Sequence, residues 1–111
     1  MRTDETADIP VACVPSAIPA DERAEHAVLA RRLFAEASLE TRPLPDGWAL
    51  RFAPEELEQV ARFVSLERLC CPFVTFTIEV APGSGLWLRM TGPEGTREVF
   101  EAAMPEFAAN G

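Results

Sequence analysis

Three cysteines are the side chains of this sequence best suited to chemistry: Cys13 and the adjacent pair Cys70 and Cys71. An odd number of cysteines is a poor disulfide framework. In a reducing compartment, thiols more often serve as buried apolar residues, redox groups or metal ligands. Thiolates select zinc, copper(I) and comparably soft ions, and mercury(II) or a trivalent metalloid should behave similarly. The sequence therefore predicts a site organised around these thiols.

A carboxylate accompanies the cysteine pair. Glu67 precedes Cys70 by three residues and Cys71 by four, so it reaches both thiols if a helix extends that far. The end of a helix and a nearby carboxylate both disfavour a thiolate, because low-pKa cysteines occur at helix N-termini with cationic neighbours. A bound cation reverses this balance, since its own charge deprotonates a coordinating thiol.

Neighbouring cysteines on one helix are poorly arranged for a single ion, because their side chains diverge by about 100°. A site that combines Cys13 with one member of the pair is easier to build, and a bend at Pro72 would help the pair itself. The only histidine, His26, follows Cys13 within the next predicted helix and offers a nitrogen. The candidate metal ligands are therefore Cys13, Cys70, Cys71 and His26.

Two other interpretations stay open. In a thiol-dependent enzyme, either a redox protein or a lyase acting on an organometallic compound, Cys70 is the nucleophile, Cys71 the resolving thiol and Glu67 the proton carrier. In an interaction module the thiols are structural, as buried cysteines often are. The exposed faces of the predicted hairpins, with Trp87 and Arg89, then contact a protein partner or a second copy.

Composition limits the classes of partner. The chain has 111 residues, 48% of them hydrophobic, which suits a single domain with one core. Its net charge of −8 disfavours nucleic acid and anionic membranes as direct partners and is compatible with a metal ion or a small thiol-reactive ligand. No apolar run is long enough to span a bilayer, and the polar start lacks the features of a secretory signal. We therefore expect a cytoplasmic protein.

Whether the three cysteines and His26 meet depends on the elements that carry them and on how these elements pack. Hydrophobic periodicity and the placement of Pro and Gly predict alternating short strands, helices and two hairpins after a disordered tail at residues 1–8. The predicted elements are a strand at 9–14, a helix at 19–38, a hairpin at 39–52, a helix from 54 to 70 or 71, a hairpin at 73–91, and a helix ending near 108.

Two turns carry specific expectations. Pro45-Asp46-Gly47 suggests a type I turn with a following bulge, and Thr91 with Glu94 fits a capping box at the start of the last helix. Because two hairpins favour antiparallel pairing, we expect one domain at residues 9–111. Its predicted fold is an α+β, two-layer sandwich in which three helices cover a mainly antiparallel sheet of two hairpins and an N-terminal strand.

The segment Glu-Arg-Leu-Cys-Cys-Pro-Phe at residues 67–73, followed by Thr-Gly-Pro at 91–93, resembles a group of small uncharacterised bacterial proteins. These share a Glu-x-x-Cys-Cys-Pro-Phe motif and a Thr-Gly-Pro turn. The resemblance extends over most of the chain after residue 10 and includes Cys13 and the Asp46-Gly47 turn. It implies no particular activity. Heavy-metal handling is suggested only by analogy with the thiol content.

Overall fold

A computed structural model describes residues 9–104 and confirms the predicted α+β class. A four-stranded antiparallel sheet packs against the helices. Among the described residues, no helix combines the length and the apolar character required to cross a membrane. The elements are α1 (Arg23–Arg31), β1 (Glu40–Leu44), β2 (Gly47–Phe52), α2 (Leu57–Cys70), β3 (Thr75–Ala81), β4 (Gly85–Thr91) and α3 (Thr96–Ala103).

The sheet has the order β1-β2-β4-β3, so the two predicted hairpins lie side by side and pair through β2 and β4. Leu44 pairs with Gly47, which leaves Pro45 and Asp46 as a two-residue turn. The predicted bulge is therefore wrong, because Gly47 belongs to the strand. Glycine is required at position 47 because the backbone of β4 passes too close to leave room for a side chain, and not because of the turn geometry. A Cβ at that position would lie 1.8 Å from the carbonyl oxygen of Met90.

Alternation along the strands separates the two faces of the sheet. The inward face and the helices form the main core, while Trp87 on the outward face lies within reach of two guanidinium groups, those of Arg42 and Arg89. On the edge strand β3 the outward residues Thr75, Thr77 and Glu79 are exposed. The main core consists of Leu33, Phe34, Trp48, Leu50, Phe52, Val60, Phe63, Leu86, Leu88, Met90 and Phe100.

The predicted N-terminal strand is wrong. Residues 9–14 join no sheet, and the N–H of Val14 instead donates to the carbonyl oxygen of Cys70 at the end of α2, at 2.7 Å. Pro10 and Pro15 cannot donate backbone hydrogen bonds to a neighbouring strand, which is consistent with this placement outside the sheet. The segment therefore lies against α2 and carries Cys13 to the pair.

Two helix boundaries also differ from expectation. The predicted helix at 19–38 is composed of α1 between a short 3₁₀ turn, Ala20–Glu22, and a π-helical stretch, Arg32–Ala37. The predicted capping box is wrong, because Thr91 still pairs within the sheet and α3 starts after Gly95, whose φ is +100°. The predicted tail at 1–8 and the helix end near 108 lie outside the described residues.

A second, smaller apolar cluster lies where the N-terminal segment meets the end of α2. We call it the small core. Its buried members are Ile18, Leu66, Cys70, Cys71 and Phe73.

Candidate metal centre

The end of α2 determines how the two adjacent cysteines are presented. Pro72 cannot continue a helix, and Cys71 has already left helical geometry, with φ −120° and ψ 74°. The N–H of Cys71 still donates to the carbonyl oxygen of Glu67 at 2.8 Å. The chain therefore leaves the helix at Cys71, directly before Pro72, and Cys70 and Cys71 do not diverge as two consecutive residues of a continuous helix would.

The third thiol comes from the N-terminal segment, which is held in place by hydrogen bonds of the residues that directly follow Cys13. The Val14 N–H donates to Cys70, as described above. Further along, the guanidinium of Arg23 donates from Nε to the carbonyl oxygen of Ile18 at 2.9 Å and from Nη2 to that of Ser16 at 3.1 Å. These backbone contacts set the position of Cys13 relative to the pair.

The three sulfurs form one group. The Sγ atoms of Cys13, Cys70 and Cys71 all lie within 4.8 Å of one another, and those of Cys13 and Cys71 are 2.7 Å apart. Two sulfurs bound to one zinc ion at the usual bond length are about 3.8 Å apart in tetrahedral geometry and about 4.6 Å at most. The three thiols are thus close enough to bind one ion after small adjustments.

Burial differs across the group. Cys71 is fully buried and Cys70 is 8% exposed, whereas Cys13 is only partly buried. Cys13 is therefore the thiol that an incoming ligand meets first, and the other two lie in a largely water-free setting where polar interactions are stronger.

Glu67 is buried beside the thiols, 6% exposed, and both of its carboxylate oxygens are used. Oε2 accepts a hydrogen bond from the Cys71 thiol at 3.3 Å, and Oε1 lies 2.7 Å from Nε2 of His26. A buried carboxylate is costly unless it is paired, and these two contacts offset that cost. The arrangement is a continuous line from thiol to carboxylate to imidazole.

His26 occupies a different place from the one predicted for a metal ligand. Its imidazole lies outside the group of sulfurs, bonded to Glu67 and stacked on Phe63 with ring centroids 5.3 Å apart. Its Nδ1 is buried and has no hydrogen-bond partner among the described residues. Because a carboxylate oxygen accepts, Nε2 is the ring nitrogen that donates the hydrogen bond to Oε1 of Glu67.

The surroundings of Cys70 and Cys71 disfavour the ionised form of these two thiols. Burial, and secondarily the negative charge of Glu67, raise the pKa of Cys70 to about 11 from the ordinary value of 9.0. Burial and Glu67 raise the pKa of Cys71 in the same way. Both directions agree with the expectation that the helix end and Glu67 disfavour a thiolate at these positions.

A cavity of about 260 Å³ borders the other side of the carboxylate–imidazole pair. His26 and Glu67 line it together with Arg31 and apolar side chains that include Phe34 and Met104. None of its lining residues is a cysteine. The pair therefore separates the thiols from this space.

Sequence reasoning located the three thiols and Glu67, and it missed the groups that assemble them. The guanidinium of Arg23 binds backbone carbonyl groups, and Val14 and Ile18 take part through their own backbone N–H and C=O groups. Backbone partners leave no side-chain motif in a sequence. The spacing of Glu67 and Cys71, four residues apart at a helix end, was the one local signal. A scan against protein-family models and searches of curated proteins and of solved structures found no match to this chain.

Proposed function

We propose that the protein binds one soft metal or metalloid ion through the thiols of Cys13, Cys70 and Cys71, in order to buffer, deliver or sense it. The observation that carries the proposal is the approach of three sulfurs to within 4.8 Å, from two segments far apart in the sequence. Cysteines that merely pack need no such convergence. Zinc, copper(I), mercury(II) and trivalent metalloids all accept thiolate ligands.

Glu67 supports this proposal as a local proton acceptor. A thiol must lose its proton when it binds a metal cation, and Oε2 of Glu67 already accepts the Cys71 hydrogen bond. His26 holds the other carboxylate oxygen and so fixes the direction in which Oε2 points. In this proposal His26 is a positioning residue, in keeping with the frequent use of outer hydrogen bonds to orient metal ligands.

Native mass spectrometry of the fully reduced chain tests the proposal. The protein is challenged separately with zinc(II) and mercury(II) in the presence of excess small thiol. We expect one ion per chain to be retained, with the exact mass showing the loss of two or three protons. Cys13→Ser and Cys71→Ser should lose zinc(II) and should retain mercury(II) less well than the wild type, because two thiols remain. Val99→Ala removes apolar atoms beside the small core without removing a ligand, and should retain the ion.

Two results would count against metal binding. One is no retained ion with any soft metal, and the other is equal retention by the wild type and both serine variants. The first would leave the thiols without a metal role. The second would place any bound ion elsewhere on the acidic surface.

A second candidate function is thiol–disulfide exchange, and the 2.7 Å approach of Cys13 and Cys71 favours it. In this reaction the two thiols reduce a small disulfide to two small thiols and form one protein disulfide, so atoms and electrons balance. The pair predicted from the sequence, Cys70 with Cys71, has less support because Cys71 contacts Cys13. Peptide mapping after treatment with oxidised glutathione would identify a Cys13–Cys71 crosslink or its absence.

A further inference from the structure

The number of available donors distinguishes between classes of ion. Among the described residues, the group of potential ligand atoms contains only the three sulfurs. The nearest other potential ligand is the Glu67 carboxylate, which stands outside this group: its Oε2 accepts the Cys71 hydrogen bond at 3.3 Å and its Oε1 bonds to Nε2 of His26. Structural zinc sites are almost always four-coordinate. A trivalent metalloid such as arsenic(III) binds three ligands in a pyramid, because its lone pair takes the fourth direction. Three thiols match the second requirement.

The charge of the resulting complex points the same way. Three thiolates around a divalent ion carry a net charge of −1, whereas three thiolates around a trivalent ion are neutral. The complex would form among buried side chains, and the Glu67 carboxylate lies 3.3 Å from one of the sulfurs. An uncompensated negative charge is costly to bury, and a neighbouring carboxylate adds repulsion. The neutral complex avoids both penalties.

Proton balance adds a third consideration. At neutral pH an arsenic(III) hydroxide is uncharged, and it reacts with three thiols to give three arsenic–sulfur bonds and three molecules of water. Each thiol proton leaves with a hydroxide, so no electron is transferred and no net proton is released. The thiols need not ionise in advance. A divalent aqua cation, in contrast, brings no hydroxide to take up the thiol protons, so these must pass to Glu67 or to solvent.

On these grounds we infer that the Cys13–Cys70–Cys71 group takes a trivalent metalloid hydroxide, of which arsenous acid is the simplest example, in preference to divalent zinc. This inference rests on the proposed function, because it names the ion class for the same three thiols. Mercury(II) also forms a neutral complex, but it needs only two thiolates. The metalloid is therefore distinguished by its dependence on all three sulfurs.

Competition on the full, reduced chain tests the inference. Native mass spectrometry with arsenite and zinc(II) at equal concentrations, in excess glutathione, should show arsenic retained with the loss of three protons and zinc retained at least about tenfold less. Phenylarsonous acid, which accepts only two thiolates, provides the matched probe. Cys70→Ser should weaken arsenite binding by more than about tenfold and change phenylarsonous acid binding by far less, because one chelating thiol is removed from a set of three.

Glu67→Gln tests the electrostatic argument separately. Removing the carboxylate charge should raise zinc affinity relative to arsenite affinity by about tenfold to a hundredfold, the range expected for one unit charge at this separation. The readout is the ratio of the two affinities. A merely structural disturbance would lower both and leave the ratio unchanged, which would overturn the charge argument.

The outcomes separate the two proposals. Zinc or mercury retained with arsenite excluded would overturn the inference and leave soft-metal binding intact. If Cys70→Ser bound arsenite as tightly as the wild type does, and phenylarsonous acid likewise, the inference would also be overturned, because the third thiol would then be unnecessary. Failure to retain any of the four probes would overturn both proposals together.

Discussion

The main core and the small core differ in what they bury: the first buries apolar side chains, and the second also holds thiols beside other polar groups. The main core is built almost entirely from hydrocarbon and aromatic side chains, many of them fully buried under the sheet. The small core packs only a few apolar groups around two thiols, and it borders a buried carboxylate and imidazole. The main core should therefore supply most of the favourable free energy of folding. In the small core, the cost of burying polar groups offsets part of the gain from apolar burial.

This difference teaches where function can be changed independently of the fold. Nonpolar burial is cumulative and nondirectional, so a loss in the main core should reduce stability without altering which thiols meet. In the small core, each polar group depends on one specific partner. A single substitution there should change chemistry and local stability together.

The largest effect is expected in the main core. Leu50 is fully buried in β2 opposite Leu88, and Leu50→Ala should lower the free energy of unfolding by about 2–5 kcal/mol through lost burial and a residual cavity. Urea denaturation followed by circular dichroism measures it. Leu57→Ala is the matched control, because Leu57 is 41% exposed at the start of α2 and should shift stability by about 0.5 kcal/mol or less.

The comparison would break if Leu50→Ala abolished ion binding in protein that is still folded. The main core would then be part of the site rather than its support. Unchanged retention of the ion by the folded fraction is the expected result.

The main core is also the part of the molecule that the sequence predicted best. Leu86, Leu88 and Met90 alternate with polar or outward residues, and this period of two fixes which face is buried. Strand order was beyond the sequence, because either hairpin strand could have paired with the other hairpin. The N-terminal strand was predicted wrongly for a related reason: a short apolar segment fits a sheet edge and the side of a helix equally well.

A smaller effect is expected from separating Glu67 and His26. Glu67→Leu leaves the imidazole and the Cys71 thiol without their acceptor, and it should cost about 1–3 kcal/mol. Adding His26→Leu should recover part of that loss, because a polar group without a partner is removed. A double-mutant cycle in urea at neutral pH should give a coupling of about 0.5–3 kcal/mol.

The exposed pair of Glu25 and Arg62, 3.5 Å apart, provides the control for that cycle. Its coupling should stay below about 1 kcal/mol, since water and salt screen exposed ion pairs. If the buried and exposed pairs gave equal coupling energies, the polar groups beside the small core would have no special energetic role.

The candidate site was partly predictable for physical reasons that differ between its members. Cys70, Cys71 and Glu67 are close in sequence, so helical geometry alone brings them together. Cys13 and His26 arrive through tertiary packing across gaps of 58 and 41 residues, to Cys71 and Glu67 respectively. Both were predicted to be metal ligands, and the structure brings only Cys13 to the other two sulfurs.

The smallest and most gradual effect is the change in the free energy of unfolding with pH, which depends on the buried thiols. Burial raises the pKa of Cys70 to about 11 in the folded protein, above the 9.0 of an ordinary thiol. The neutral thiol therefore contributes its full stability below pH 9, and the contribution is lost as pH rises toward 11, because the unfolded chain ionises first. Stability of the reduced protein should fall across this window by at most about 1.4 kcal/mol per pH unit for each such thiol.

Urea titrations between pH 8 and 11 would measure this slope, with Cys70→Ala as the comparison. The variant should show a shallower fall, and Cys71, whose pKa burial also raises, should account for what remains. The chain contains neither lysine nor tyrosine, so few other groups contribute in that range. Equal slopes for the two proteins would mean that Cys70 is not held as a buried neutral thiol, and the contrast between the two cores would then depend on Glu67 and His26 alone.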